Sequence, residues 1–110
     1  MNHKNIVIIG GNSGIGRSII EKLNVLGANV FPYHRSGEGE SHLDVTQKFD
    51  SIAGLPEVID GLVYCPGTIS LKPFHRFSIE DFQRDYEVNV LGAVKVLQAC
   101  MKGLKKSESD

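Results

Sequence analysis

The residues best suited to chemistry stand near the start of the chain, in Asn5-Ile6-Val7-Ile8-Ile9-Gly10-Gly11-Asn12-Ser13-Gly14-Ile15-Gly16. Four β-branched apolar residues run into a glycine cluster, and an apolar-periodic stretch follows at once, which is the order of a strand, a tight turn and a helix. A helix begun by such a turn has no internal partners for its first N–H groups, and the positive end of its dipole lies behind them. A phosphate is the natural guest of that bend. Gly10 and Gly11 let the chain reverse, Gly14 lets the main chain approach a pyrophosphate, and Gly16 lets the helix lie close on the sheet. The spacing is G-x-x-x-G-x-G, and the bland alternative is a strand-to-helix loop that holds no ligand.

A second set follows at the end of the next expected strand, Tyr33-His34-Arg35-Ser36. In a dinucleotide-binding unit a carboxylate here bonds the ribose hydroxyls of NAD, whereas a basic side chain suits the 2′-phosphate of NADP. The set holds no Asp or Glu. Arg35 offers a guanidinium and Ser36 a hydroxyl, which favours NADP(H) over NAD(H). The plain alternative for Arg35 is a solvated surface residue.

The elements that must position these groups can be read in order. Ile15, Ile19, Leu23 and Leu26 recur at helical spacing and predict one apolar face, with Arg17, Glu21 and Lys22 opposite and Gly27 closing the helix. Asn29 to Tyr33 reads as a second strand, with Pro32 a reservation because it lacks a ladder donor. Strand, helix and strand at this spacing imply a right-handed crossover and parallel pairing. Residues 36–41 form a polar, turn-rich segment. From Gln47 to Asp60 there is room for a loop or an abbreviated helix carrying Phe49, Ile52 and Leu55, interrupted by Pro56.

Gly61 to Cys65 reads as a further strand, stopped by Pro66-Gly67. After a loop over residues 68–77, Ser78 is expected to cap a long helix with Asp81 at the capping-box offset. In that helix Ile79, Phe82, Tyr86, Val90, Ala93, Leu97, Met101 and Leu104 keep steps of three and four, with a kink expected between Asp85 and Asn89. Asn89 in mid-helix competes for the helix's own hydrogen bonds and needs a reason, or else faces water.

At 110 residues, 41% hydrophobic and 23% charged, the chain has the composition of one soluble globular domain spanning residues 1–110. Twelve basic residues against thirteen acidic leave a net charge of −1, so no field draws in nucleic acid or an anionic membrane surface. Cys65 and Cys100 lack the spacing of a metal site or a disulfide framework and read as reduced, apolar residues. No apolar run approaches the roughly 18 residues of a membrane span, and the polar first residues resemble no signal peptide, so a cytoplasmic protein is expected.

Asn12-Ser13-Gly14-Ile15-Gly16, set after a strand and before a helix, resembles the glycine-rich segment of the short-chain dehydrogenase/reductase family. Ile9 stands where that family usually has Thr. The resemblance implies a Rossmann-type, doubly wound parallel α/β sheet in strand order 3-2-1-4, with the cofactor crevice where Gly10 to Gly16 meet Gly67. Asp44-Val45-Thr46 resembles the family's short acidic motif after the third strand. Asp44 and Val45 are therefore expected at the adenine, with Asp44 accepting from its amino group; an N-cap for a following helix is the other reading.

The turn beside the nicotinamide ribose would be Cys65-Pro66-Gly67, where Tyr64-Cys65-Pro66-Gly67 replaces the family's Asn-Asn-Ala-Gly. Asp85 to Gly92 resembles the stretch that supplies the catalytic asparagine, Asn89. The Tyr-x-x-x-Lys pair of the family does not occur: Gly37, Thr68 and Val90 stand four places after the three tyrosines. The resemblance thus implies the N-terminal, cofactor-binding part of an NADP(H)-preferring oxidoreductase that acts on an alcohol or carbonyl substrate. Its long helix would lie at a homo-oligomer interface. A non-catalytic NADP(H)-binding or interaction module is the alternative.

Overall fold

The computed structural model describes residues 3–10, 14–35, 42–47, 49, 51–65 and 78–107. Strand β1, Asn5–Ile9, lies at the centre of a parallel sheet, with β2, Asn29–Tyr33, on one side and β3, Gly61–Tyr64, on the other. Its register pairs Ile9 with Tyr33 and with Tyr64, so the ends of all three strands come level. Ile6 to Ile9 are all buried, as a central parallel strand covered on both faces requires.

Alternate residues of β1 serve opposite faces. Ile6 and Ile8 pack with Ala28 and with Ile19, Ile20 and Leu23 of helix α1, Gly14–Val25. Val7 and Ile9 pack on the other face with Tyr33, Leu43, Val45, Ile52, Ile59, Val88, Val96 and Cys100. That second layer is a long helix in three parts: α2, Ile79–Tyr86; a widened π turn, Glu87–Leu91; and α3, Gly92–Lys105. Helices thus cover both faces of a parallel sheet, a partial Rossmann-type α/β fold.

The ends of the elements follow their residues. Gly27, at φ 83°, ends α1 in a left-handed turn in which Ala28 N–H donates to the Leu23 carbonyl at 3.1 Å, a Schellman closure. Ser78 caps α2 as expected: its Oγ accepts from Asp81 N–H at 3.1 Å, and its own N–H donates to Asp81 Oδ2 at 3.0 Å. At the opposite end of the sheet Asp60 accepts from Asn5 N–H at 2.8 Å and from Ser107 Oγ at 2.7 Å, tying the last turn of α3 to β1.

Three expectations are corrected. Among the described residues the third strand of the order 3-2-1-4 is only a single bridge between His34 and His42, so the sheet runs β2-β1-β3. Pro32 supplies the reason. Asn29 N–H and the Tyr33 carbonyl point to β1, so the even positions of β2 point outward, and there Pro32 has no N–H to offer a further strand. Pairing begins only at His34, whose carbonyl accepts Leu43 N–H at 3.0 Å.

The apolar face of α1 is shifted as well: Gly16, Ile19, Ile20 and Leu23 turn inward, whereas Ile15 is 75% exposed and Leu26 is exposed. In the long helix, Ile79, Tyr86, Val90, Leu97 and Met101 are exposed, and the residues against the sheet are Val88, Gly92, Val96, Cys100 and Gly103. Small side chains let that helix lie close to the strands. The segment from 51 to 60 is irregular and packs Ile52, Leu55 and Ile59 into the core without a helix.

Candidate functional site

The end of β1 and the end of β3 lie side by side, and Cys65 N–H donates to the Ile9 carbonyl at 2.8 Å. From this point α1 leaves to one face of the sheet, while α2 and α3 lie on the other. This is the switch point at which ligands of such sheets bind. Gly10, at φ 80°, takes the left-handed conformation that the reversal demands. Its N–H closes the β1–β2 ladder on the Tyr33 carbonyl at 2.6 Å, so Gly10 shapes the bend and its amide is spent in the sheet.

The head of α1 is built differently. A Cβ placed on Gly14 would meet nothing within 4 Å among the described residues, so that side of Gly14 is open. Gly14 and Ile15 also begin a hollow of about 500 Å³ that continues down the flank of α1 past Ser18, Ile19 and Lys22. The Ser18 hydroxyl is turned back onto the Gly14 carbonyl at 3.0 Å. Gly16 is buried against the sheet, as its spacing predicts. An open glycine at a helix N-terminus fits a diphosphate, since main-chain donors and the helix dipole face the same space.

At the end of β2, Arg35 and His42 lie near Asp44, beside the bridge between His34 and His42. Asp44 Oδ1 accepts both Thr46 N–H, at 3.0 Å, and Thr46 Oγ1, at 2.7 Å. The Thr46 hydroxyl bond is the main cause holding the Asp44 carboxyl below its ordinary pKa, with the nearby positive charges of Arg35 and His42 adding to it. This is an Asx turn with no helix after it among the described residues, so the N-cap reading of Asp44 falls. Arg35 is exposed and open to an anionic group. His34 Nδ1 is buried without a hydrogen-bond partner, a polar atom at the strand end that a ligand could satisfy.

Two further expected contacts change character. Val45 is buried in the core against the position of Gly92, so only its main chain can face a cofactor. Cys65 is half-buried with the α1-side cluster, and burial pushes its thiol pKa up. Asn12, Ser13, Ser36, Pro66 and Gly67 lie outside the described residues.

Asn89 sits in the π turn, on its exposed side, within the span where a kink is expected. A π turn of this kind inside an α-helix is frequent at functional sites. Here Gly92 N–H bonds to the Glu87 carbonyl, five residues back, and passes over Val88. The Tyr64 hydroxyl donates to the Val88 carbonyl at 2.5 Å, which joins the end of β3 to the turn carrying Asn89. Sequence reasoning missed this pair. Its visible trace was a tyrosine at a strand end followed, much later, by a glycine in mid-helix.

No group of three or more His, Cys, Asp or Glu side chains among the described residues is placed to hold a metal ion. No helix among them is long and apolar enough to cross a membrane.

A family model described as short chain dehydrogenase matches residues 40–109. The chain belongs to the short-chain dehydrogenase family. Solved structures of similar fold include the ligand-free aldohexose dehydrogenase of Thermoplasma acidophilum, with a TM-score of 0.78 at 22% identity over 96% of this chain and 46% of that one. A short chain dehydrogenase of Leptospira borgpetersenii with bound NAD+ matches with a TM-score of 0.72 at 24% identity, over 90% of this chain and 45% of that one. A protein of Listeria innocua matches with a TM-score of 0.78 at 18% identity, over 92% and 50% respectively. At these identities the likeness is one of fold, and this short-chain dehydrogenase chain spans about half the length of those structures.

Proposed function

We propose that this chain is the dinucleotide-binding part of an NADP(H)-preferring short-chain dehydrogenase that acts on an alcohol or carbonyl substrate. The observation that carries the reading is the open head of α1 at Gly14, set at the switch point between β1 and β3. The amides of the first turn of α1 would hold the diphosphate, Arg35 the 2′-phosphate with Ser36, and Asp44, through the oxygen that Thr46 leaves open, the adenine amino group. Cys65, Pro66 and Gly67 would border the nicotinamide ribose. Bound there, the nicotinamide would supply or accept the hydride. Asn89 would hold water at the exposed side of the π turn, as part of a proton path. Assembly with a second copy through the exposed α2–α3 face belongs to the same reading, supported by Tyr86, Val90, Leu97 and Met101.

A second reading is an NADP(H)-binding module without catalysis. Turnover by the full-length protein would exclude it. Cofactor choice is tested by fluorescence titration with NADPH and NADH, before and after Arg35→Ala. The wild type should bind NADPH more tightly, and the variant should lose roughly 10- to 100-fold for NADPH alone, the worth of a charge-assisted phosphate contact. Equal binding of the two cofactors both before and after the change would contradict the assignment.

A further inference from the structure

We infer that Tyr64 is a positioning residue for the asparagine segment: its hydroxyl, by bonding the Val88 carbonyl, holds the helix in the widened turn from which Asn89 is presented. The inference rests on the reading of Asn89 as part of a dehydrogenase site.

Three observations meet at this bond. In a regular helix the Val88 carbonyl would accept Gly92 N–H, but that amide bonds to Glu87 instead. Val88 is buried, so a carbonyl deprived of its regular donor is costly unless another group serves it. Tyr64 provides that donor from the end of β3, 24 residues earlier in the chain. Position 92 then has to be glycine, because a Cβ there would fall on the Tyr64 hydroxyl and press on Val45. The π turn, the tyrosine and the glycine form one unit, and without the hydroxyl the Val88 carbonyl loses its donor, the widened turn loosens and Asn89 moves with it.

Burial pushes the Tyr64 pKa up to about 12, so the hydroxyl keeps the proton it donates throughout the neutral range. The bond also links two parts of the site. A movement of the turn after β3, where the nicotinamide ribose would sit, reaches Asn89 through a ring and one hydrogen bond.

The test is Tyr64→Phe in the full-length protein, which removes one oxygen and keeps the ring. Amide exchange from Asn89 to Gly92 should speed about tenfold, the factor that one lost hydrogen bond corresponds to, while Val96 to Gly103 in the same helix stay protected. The side-chain amide resonances of Asn89 should shift, kcat should fall with KM and NADPH affinity unchanged, and no pH in the neutral range should restore it. Unchanged exchange and unchanged Asn89 resonances would overturn the inference, even if the melting temperature fell. Absence of turnover or of NADPH binding in the wild type would instead sink the dehydrogenase reading and leave the exchange result to decide the role of Tyr64. If the variant does not fold, the wild-type Tyr64 hydroxyl proton decides: a slowly exchanging resonance close to Val88 supports the bond, and a hydroxyl in rapid exchange with water rules it out.

Discussion

Asp44 has one carboxylate oxygen engaged by both the N–H and the hydroxyl of Thr46, so its side chain builds the turn after the bridge. Its folded pKa lies below the ordinary value of 3.8, with the Thr46 hydroxyl bond as the largest cause. A carboxylate depressed in this way stabilises the fold above pH 3.8, and the contribution disappears as the pH falls through the lower folded value. Asp44→Asn, which keeps an acceptor but removes the charge, should therefore be less stable than the wild type in urea denaturation at neutral pH. The gap should close below pH 3.8, and a gap independent of pH would show that the charge has no part. At this scale the sequence made the residue visible and left its job open: an acidic residue before Val-Thr suits an adenine or a cap, and the absence of a helix after it decides against the cap. The burial of Val45 was not legible, because it depends on how closely a helix some 45 residues later passes.

Elements were easier to find than to orient. The strand and helix at the start, and the capping box at Ser78, follow local rules of hydrogen bonding and backbone freedom, and they stand as expected. Ser78→Ala removes the cap acceptor, at a cost of about 1 kcal/mol, so the melting temperature should drop by several degrees in calorimetry. An unchanged melting temperature would mean that α2 is held by packing alone. The facing of the long helix could not be read from periodicity, since it is apolar on more than one side. A stripe of large residues from Tyr86 to Met101 competes with the smaller Val88, Gly92, Val96, Cys100 and Gly103, and close approach to the sheet selects the small ones. Pro32 was legible as a reservation, but its outward direction, which cuts the outer strand to one bridge, depends on the register of β2 against β1.

At the scale of the whole molecule, the sheet has β1 satisfied on both sides, whereas β3 pairs on one side only among the described residues. An unpaired strand edge is a surface that further chain or a partner would cover. The proposed cofactor site does not wait on that cover, because the head of α1 and the end of β3 are joined through β1. That the open main chain at the head of α1 receives a diphosphate is the claim on which the functional reading depends, and Gly14 is where it is most exposed to test. A methyl group there meets nothing within 4 Å among the described residues, and in the proposed reading it would intrude on the phosphates. The decisive measurement is the NADPH dissociation constant of full-length Gly14→Ala beside its melting temperature. A diphosphate seated there predicts a loss of at least about tenfold in affinity, roughly 1.4 kcal/mol, with stability held. Wild-type affinity in a folded Gly14→Ala variant would contradict it.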